Sequence, residues 1–161
     1  MLILMGVWMG RLPVTRFKES WVWDDTEEKL YRRLLKGCKT VLHLFLGRSS
    51  LGTVRVDEKN FPEVTHRVRI KPVEDFRLNC EDASFDAVVA DPPWINRYLT
   101  WLSKEAFRIA RRKVLIITGC FWLEPHKKYA QAWRLKHLYV VKRVSPVVKL
   151  VFLYERSHPL L

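Results

Sequence analysis

The ten residues FDAVVADPPW, at positions 85–94, constrain the fold of this chain more than any other stretch. The apolar run FDAVVA is continuous enough for a strand buried on both faces, as in the centre of a parallel sheet. The tetrad DPPW follows it directly, and each proline holds φ at about −65° and removes an amide donor. The sequence therefore predicts a central strand that ends in a rigid corner, with the Asp91 carboxylate at its base and Trp94 at its tip.

Apolar runs and helical periodicities alternate around this strand. Such alternation predicts a three-layer α/β fold with a mostly parallel sheet, closed by a C-terminal antiparallel strand pair. The 161 residues suit a single domain, because a chain of this length buries one core. Helices are predicted at residues 24–36 and 95–113, and strands at residues 40–45, 53–57, 65–70, 85–90, 114–119, 135–143 and 147–156.

Three of the predicted strands end in polar or glycine-rich segments, at residues 45–52, 56–57 and 90–94. In open α/β sheets, ligands bind in the crevice beyond the carboxyl ends of the strands. We therefore expect these three segments to lie together at one edge of the sheet and to form a binding site.

The DPPW corner has the groups that binding of a nucleobase amine requires. Asp91 supplies a carboxylate and Pro92 a backbone carbonyl, and these two acceptors can hold both hydrogens of an exocyclic amino group. That arrangement turns the nitrogen lone pair toward an electrophile. Trp94 offers a face on which a base can stack, an interaction worth about 1–3 kcal/mol in nucleic-acid sites. The alternative is a surface turn whose aspartate starts the following helix.

The amino-acid composition favours a polyanionic partner and an intracellular location. Lys and Arg outnumber Asp and Glu by 29 to 17, and the formal charge of +12 favours a polyanion such as DNA or RNA. Cys38, Cys80 and Cys120 are far apart, which argues against a disulfide scaffold or a metal site. The N-terminal MLILMGVWMG is too short to span a bilayer and has no signal-peptide flanks, so the sequence predicts a soluble, cytoplasmic protein.

These motifs resemble a known enzyme family. FDAVVADPPW is similar to the strand-four signature of the S-adenosylmethionine-dependent amino-methyltransferases, in which Asp, Asn or Ser precedes Pro-Pro and an aromatic residue. VLHLFLGRSSLG followed by VRVDE resembles their cofactor-binding strand, glycine loop and acidic second strand, in the family's unpermuted order. The resemblance covers about residues 40–155, after an N-terminal segment and helix at residues 1–39. It implies a Rossmann-like fold and a metal-free methyl transfer from S-adenosylmethionine to an amino nitrogen.

The resemblance also implies roles for individual residues. Asp57 would accept hydrogen bonds from the ribose hydroxyls, Gly47 and Gly52 would bound the loop under the methionine part, and Asp75 with Phe76 would lie near the adenine. The target-amine pocket would consist of Asp91, Pro92, Pro93 and Trp94. The cofactor-binding residues would be His43, Phe45, Gly47, Ser49, Gly52, Asp57, Asp75 and Phe76.

Three features depart from the family's pattern. His43 stands where an acidic residue is usual, and Ser49 stands where the loop has its second glycine. A histidine in an apolar strand is more typical of a hydrogen-bonded core than of a base, although its place beside the loop also allows a cofactor contact. Between Gly47 and Val54 there is no room for the customary crossover helix, which needs about a dozen residues. Either a bare loop makes the return, or the second strand is misplaced.

Basic residues are concentrated in the second half of the chain. The run FRIARRK is typical of a solvated helix end. Further along, cations interleaved with aromatic residues can line a phosphate backbone or form a plain basic surface. The candidates for nucleic-acid binding are Lys127, Lys128, Arg134 and Lys136.

The sequence thus supports one leading function and two alternatives. The leading hypothesis is methylation of an exocyclic amino group of a nucleobase. The resemblance of DPPW to the family's motif implies adenine N6, and cytosine N4 or guanine N2 is left open. With no separate target-recognition domain evident, target choice would be weak or would come from the N-terminal segment, a second copy or a partner. A catalytically inactive nucleic-acid-binding or partner subunit is the first alternative. Methylation of a small molecule or a protein amide is the second, to which the positive charge gives no support.

Overall fold

The computed structural model describes residues 23–119, 121–142 and 148–157, so the N-terminal segment before Trp23, and also Cys120, lie outside it. The described residues form a seven-stranded sheet with helices packed on it. The elements are α1 (Asp25–Leu34), β1 (Val41–Leu44), β2 (Val54–Asp57), β3 (His66–Arg67), β4 (Phe85–Ala90), α2 (Asn96–Ile109), β5 (Ala110–Thr118), β6 (Trp133–Lys142) and β7 (Val148–Arg156).

The strand order across the sheet is β3-β2-β1-β4-β5-β7-β6. The first five strands in this order pair in parallel, and β7 pairs antiparallel with both β5 and β6. The prediction of an α/β fold with a mostly parallel sheet and a C-terminal antiparallel pair is therefore confirmed.

Helix α1 forms where its capping residues predict it. The Asp24 carboxylate accepts a hydrogen bond from the Glu27 backbone N–H at 2.8 Å, and the Glu27 carboxylate accepts one from the Asp24 backbone N–H. This reciprocal capping box satisfies two donors of the first turn. After the last turn, Gly37 has a φ of 84°, a left-handed conformation that ends the helix at little cost.

A bare loop connects β1 to β2, which is the first of the two possibilities that the sequence left open. Because β1 and β2 are parallel, the chain must return along the sheet, and it does so without a helix. Leu51 is buried in the core under α1, so part of the loop replaces the apolar face of a crossover helix. Gly52 has a φ of 105°, and a Cβ there would lie 3.1 Å from the His43 Cβ.

Strand β3 is shorter than the sequence predicts. Only His66 and Arg67 pair with β2, whereas residues 65–70 were expected to form a strand. Both residues are exposed at the edge of the sheet, where a strand has only one neighbour to pair with.

Helix α2 also ends earlier than predicted, at Ile109, and β5 begins at the next residue. Ala110 is extended, with φ −75° and ψ 137°, and it pairs with Phe85 of β4. Ladder bonds to β4 and β7 hold residues 110–113 as strand, which outweighs their helical propensity. Arg108 is not a solvated helix end, because it is 5% exposed and bonds the Leu78 and Cys80 carbonyls.

The sheet separates two apolar cores. One core lies between the sheet and α1, and the other lies between the sheet and α2 with residues 68–80 and 121–132. A buried ion pair, Lys149 Nζ to Glu27 Oε1 at 3.0 Å, joins α1 to β7. Among the helices in the described ranges, none is long and apolar enough to cross a membrane.

Candidate functional site

The candidate site lies where the carboxyl ends of β1 and β4 meet. Leu44 and Ala90, the last residues of these neighbouring strands, are in register. The Asp91 N–H donates to the Leu44 carbonyl at 3.4 Å, which holds the two strand ends together. From β1 the order runs to β2 on one side and to β4 on the other, and ligands of open α/β sheets bind where the order reverses in this way.

Asp91 does not start the following helix. Helix α2 begins at Asn96, its N-cap is Ile95, and no side chain caps it. The Asp91 carboxylate instead accepts a hydrogen bond from the Trp23 indole N–H, with Nε1 2.7 Å from Oδ2. The alternative interpretation of DPPW as a helix-initiating turn is therefore wrong.

The two prolines of the corner have different surroundings. Pro92 is buried and Pro93 is exposed. The Pro93 carbonyl accepts a hydrogen bond from the Ile95 N–H at 2.7 Å. No donor in the described part of the chain bonds the Pro92 carbonyl. The corner thus keeps a backbone acceptor next to the Asp91 carboxylate.

Trp94 presents its ring at the surface of this corner. The residue is 38% exposed, and its ring rests on Gly119 at the end of β5. A Cβ at position 119 would lie 2.5 Å from the Trp94 Cε3 atom, which is closer than atoms can approach. Glycine at this position therefore allows the indole to lie flat against the strand end.

Trp23 connects the corner to β1. Its ring stacks on His43 with centroids 5.0 Å apart and meets Tyr31 edge-on at 4.6 Å. His43 Nδ1 lies 2.9 Å from the Leu51 carbonyl, so Nδ1 carries the proton that it donates. Burial lowers the pKa of His43 to about 4, so the imidazole is neutral near pH 7. Its Nε2 has no partner among the described residues.

The glycine loop and Asp57 lie beside the corner and bond each other. The Gly47 N–H donates to Asp57 Oδ2 at 3.1 Å, and the Lys59 N–H donates to Oδ1 at 2.9 Å. Phe45 has a φ of 57°, so the chain turns sharply as it leaves β1, and its ring meets Tyr98 edge-on at 5.6 Å. The structure thus brings Gly47 and Asp57 together, as the resemblance implies.

Ser49 holds the loop onto α1. Its hydroxyl donates to Glu28 Oε2 at 3.3 Å and accepts from the Leu51 N–H at 3.0 Å. Ser49 is buried. The position expected for a second glycine is therefore occupied by a side chain whose hydrogen bonds fix the loop against α1.

Asp75 and Phe76 lie apart from this group. Phe76 packs against Trp101 in α2, with ring centroids 5.9 Å apart, and its carbonyl accepts the Trp101 indole N–H at 2.8 Å. Asp75 is exposed. Among the described residues, neither has a hydrogen bond or ring contact with Gly47, Asp57 or Asp91.

The four basic candidates are exposed but do not form one group. Arg134 is in register with Glu155, which pairs with Lys113 near the start of β5, so it lies toward the amino end of the sheet. Lys127 and Lys128 belong to the segment that follows β5, and a His126 N–H to Ser103 carbonyl bond of 2.9 Å ties that segment to α2. The fourth candidate, Lys136, is exposed at an irregularity of β6.

Sequence reasoning missed two residues of the corner. Trp23 lies 68 positions from Asp91 and has no local pattern that points to the contact. The role of Gly119 could have been inferred, because a glycine at the carboxyl end of a buried strand often indicates that another group packs closely against the backbone. Among the residues that the structure describes, no group of three or more His, Cys, Asp or Glu side chains could hold a metal ion.

Comparison with known proteins adds no relative. No family model matches the chain, and a search of curated proteins finds no match. The arguments for function therefore rest on the geometry of the corner and on the sequence motifs.

Proposed function

We propose that this protein is an S-adenosylmethionine-dependent methyltransferase that methylates an exocyclic amino group of a nucleobase, adenine N6 in DNA or RNA being the leading target. The main support for this proposal is the pair of hydrogen-bond acceptors that follows β4, the Asp91 carboxylate and the Pro92 carbonyl. Asp91 does not cap α2, and the neighbouring Pro92 carbonyl has no donor within the described residues. The strand order β3-β2-β1-β4-β5 supports a Rossmann-like sheet, in which ligands would bind beyond the carboxyl ends of β1 and β4.

The two acceptors suit an amine with two hydrogens. In free adenine the lone pair of the amino nitrogen is delocalised into the ring. Asp91 and Pro92, by accepting one hydrogen each, would hold the nitrogen with its lone pair facing away from them. The carboxylate would also stabilise the positive charge that develops on the nitrogen and take the proton that it releases. The exposed face of Trp94 would hold the base plane.

Residues at the same edge fit the nucleoside part of the cofactor. An ionised carboxylate has about four acceptor positions, and the backbone N–H groups of Gly47 and Lys59 use one on each oxygen of Asp57. Asp57 would therefore still accept ribose hydroxyls, and the loop from Gly47 would hold the amino-acid part. When bound, S-adenosylmethionine supplies a methyl group activated on a positively charged sulfur.

One observation favours the inactive-subunit alternative. The loop after β1 is pinned by Ser49 and Leu51 and is bonded to Asp57, so it is packed onto the domain itself. Calorimetry separates the two functions. Binding of S-adenosylmethionine that is weakened by Asp57→Ala supports the enzyme, whereas no binding at about millimolar cofactor supports the subunit.

The product identifies the substrate. The protein is incubated with isotopically labelled S-adenosylmethionine and separate pools of DNA and RNA, and the nucleosides are then resolved by mass spectrometry. We expect labelled N6-methyladenosine or its deoxy form. Label in N4-methylcytosine or N2-methylguanine would keep the reaction type and change the base, and no labelled nucleoside in either pool would contradict the proposal.

A further inference from the structure

A group of exposed apolar side chains lies beside the corner, and we call it the aromatic strip. Its members are Trp94, Ile95, Phe121 and Trp122, which are 38%, 47%, 36% and 53% exposed. Isolated exposed hydrophobic residues are common in soluble proteins, whereas contiguous ones mark interaction sites.

The end of β5 brings members of the aromatic strip near one another. Trp94 rests on Gly119, and the Thr118 hydroxyl donates to the Phe121 carbonyl at 2.7 Å, so Trp94 and Phe121 both lie at the end of β5. Three residues of chain span at most about 11 Å. The Cα atom of Trp122 therefore lies within about 11 Å of the Cα atom of Gly119, on which the Trp94 ring rests.

Trp122 is held in place with its ring at the surface. Its indole N–H donates to Glu124 Oε1 at 3.0 Å, and its ring meets Phe152 of β7 at 87° with centroids 5.1 Å apart. More than half of the residue stays exposed despite these contacts. A fixed aromatic face costs little conformational entropy when a flat ligand stacks on it.

Cations flank the aromatic strip along the sequence. Arg97 is exposed in the first turn of α2, with its guanidinium over the Tyr98 ring at 5.8 Å. Lys127 and Lys128 are exposed in the segment that follows Trp122. Aromatic faces between cations match the alternation of bases and phosphates along a single strand, and the net charge of +12 has the complementary sign.

We infer that the aromatic strip binds an unpaired stretch of nucleic acid, with the bases next to the target stacked on Phe121 and Trp122. The inference rests on the proposed function for placing the target base at Asp91. An unpaired strand exposes base faces to the strip and avoids the few kcal/mol needed to flip a base from a duplex. Paired bases would leave Trp122 uncovered. The substrate class is therefore single-stranded or frayed DNA or RNA, rather than intact duplex.

Fluorescence anisotropy without cofactor tests this binding apart from catalysis. The probes are labelled adenine-containing DNA and RNA oligonucleotides of about 12 nucleotides, each single-stranded or annealed to its complement at one salt concentration. We expect the single strands to bind at least about tenfold more tightly than the duplexes. Trp122→Ala should weaken single-strand binding roughly 5- to 100-fold, and Trp122→Phe should weaken it less.

The control removes an exposed ring from the other face of the sheet. His137 pairs with Leu153, whose side chain lies in the core under α1, so His137→Ala should change the affinity by less than about twofold. Phe121→Ala is a second strip variant, and circular dichroism confirms that each variant folds. If the alanine variants do not fold, the affinity of Trp122→Phe and the preference of the unmodified protein for single strands over duplexes test the inference.

Several outcomes separate this inference from the proposed function. Strip-dependent single-strand binding without methyl transfer to any pool would sustain the inference and reject the chemistry. Transfer together with equal binding of duplex, or with unchanged binding by Trp122→Ala, would overturn the inference alone. A dimer in light scattering that Trp122→Ala dissociates would also overturn it, because the strip would then join two copies.

Discussion

The Trp23 indole N–H donates to the Asp91 carboxylate at 2.7 Å, across 68 positions of sequence. The same indole stacks on His43, which bonds the loop carbonyl of Leu51. A continuous set of contacts therefore links the glycine loop to the carboxylate proposed to hold the target amine. Trp23, which precedes α1, thus contributes to the site.

Trp23→Phe should lower kcat about 10- to 100-fold and leave cofactor affinity within about twofold, since a hydrogen bond to a charged group contributes about 1.5–3 kcal/mol. The variant keeps a ring on His43 and removes the donor that orients Asp91. The matched control is Trp101→Phe, which removes an indole bond to the Phe76 carbonyl away from the corner. An equal fall of kcat in both variants, measured per folded molecule, would show that the donor has no specific role.

Gly119→Ala should impair methyl transfer with only a small change in thermal stability. The added Cβ would meet the Trp94 ring at 2.5 Å, and the partly exposed ring can move outward. A double-mutant cycle checks the cause, because Gly119→Ala should add no further loss in a Trp94→Ala background. Additive losses in the double variant would place the effect elsewhere.

The sequence predicted the elements whose signals are local. Strand β4 follows from a continuous apolar run and α1 from a helical pattern at residues 24–36, and both elements are confirmed. The boundary between α2 and β5 was wrong, because pairing of Ala110 with β4 overrides the helical preference of residues 110–113. The position of this boundary depends on strand partners that are distant in sequence, so a local pattern cannot predict it.

The site was predictable to the same extent. Asp91 and Gly47 could be placed at one edge because parallel strands end together. The role of Trp23 could not be predicted, since it depends on how α1 packs on the sheet. Arg134 was grouped with Lys127 by composition, whereas the direction of β6 carries it toward the amino end of the sheet.

Stability should fall as the pH drops from about 6.5 to about 4, because His43 is neutral in the folded protein and protonated in the unfolded chain. Because its pKa is lowered, neutral His43 contributes a stabilisation that is fully present above about pH 6.5 and is lost as the pH falls through about 4. This stabilisation amounts to at most about 3 kcal/mol. The hydrogen bond with Arg111 lowers the pKa of Asp86 to about 2. The stability that Asp86 provides is therefore present above its ordinary pKa of 3.8 and is lost only as the pH falls from there toward 2.

Urea unfolding across this pH range measures the effect. The free energy of unfolding should depend less on pH in His43→Gln than in the unmodified protein. His66→Gln, at an exposed edge position, serves as the control and should keep the original dependence. The same slope in His43→Gln would assign the dependence to other groups.

Lys149→Met should lower the free energy of unfolding by about 3 kcal/mol, because it removes a positive charge from beside the buried Glu27 carboxylate. Lys104→Met is the matched control, since its ion pair with Glu74 is at the surface and contributes about 0–1 kcal/mol. Adding Glu27→Gln to Lys149→Met should recover part of the loss. Similar losses in the two lysine variants would contradict a special role of the buried pair.

Methyl transfer by Asp91→Ala tests the central claim most directly. The rate of label transfer from S-adenosylmethionine to nucleic acid is measured for the unmodified protein and the variant, with cofactor affinity determined in parallel. We expect transfer by the unmodified protein, a loss of at least about a hundredfold in Asp91→Ala, and cofactor affinity within about threefold. Transfer at the normal rate by Asp91→Ala would contradict the central claim.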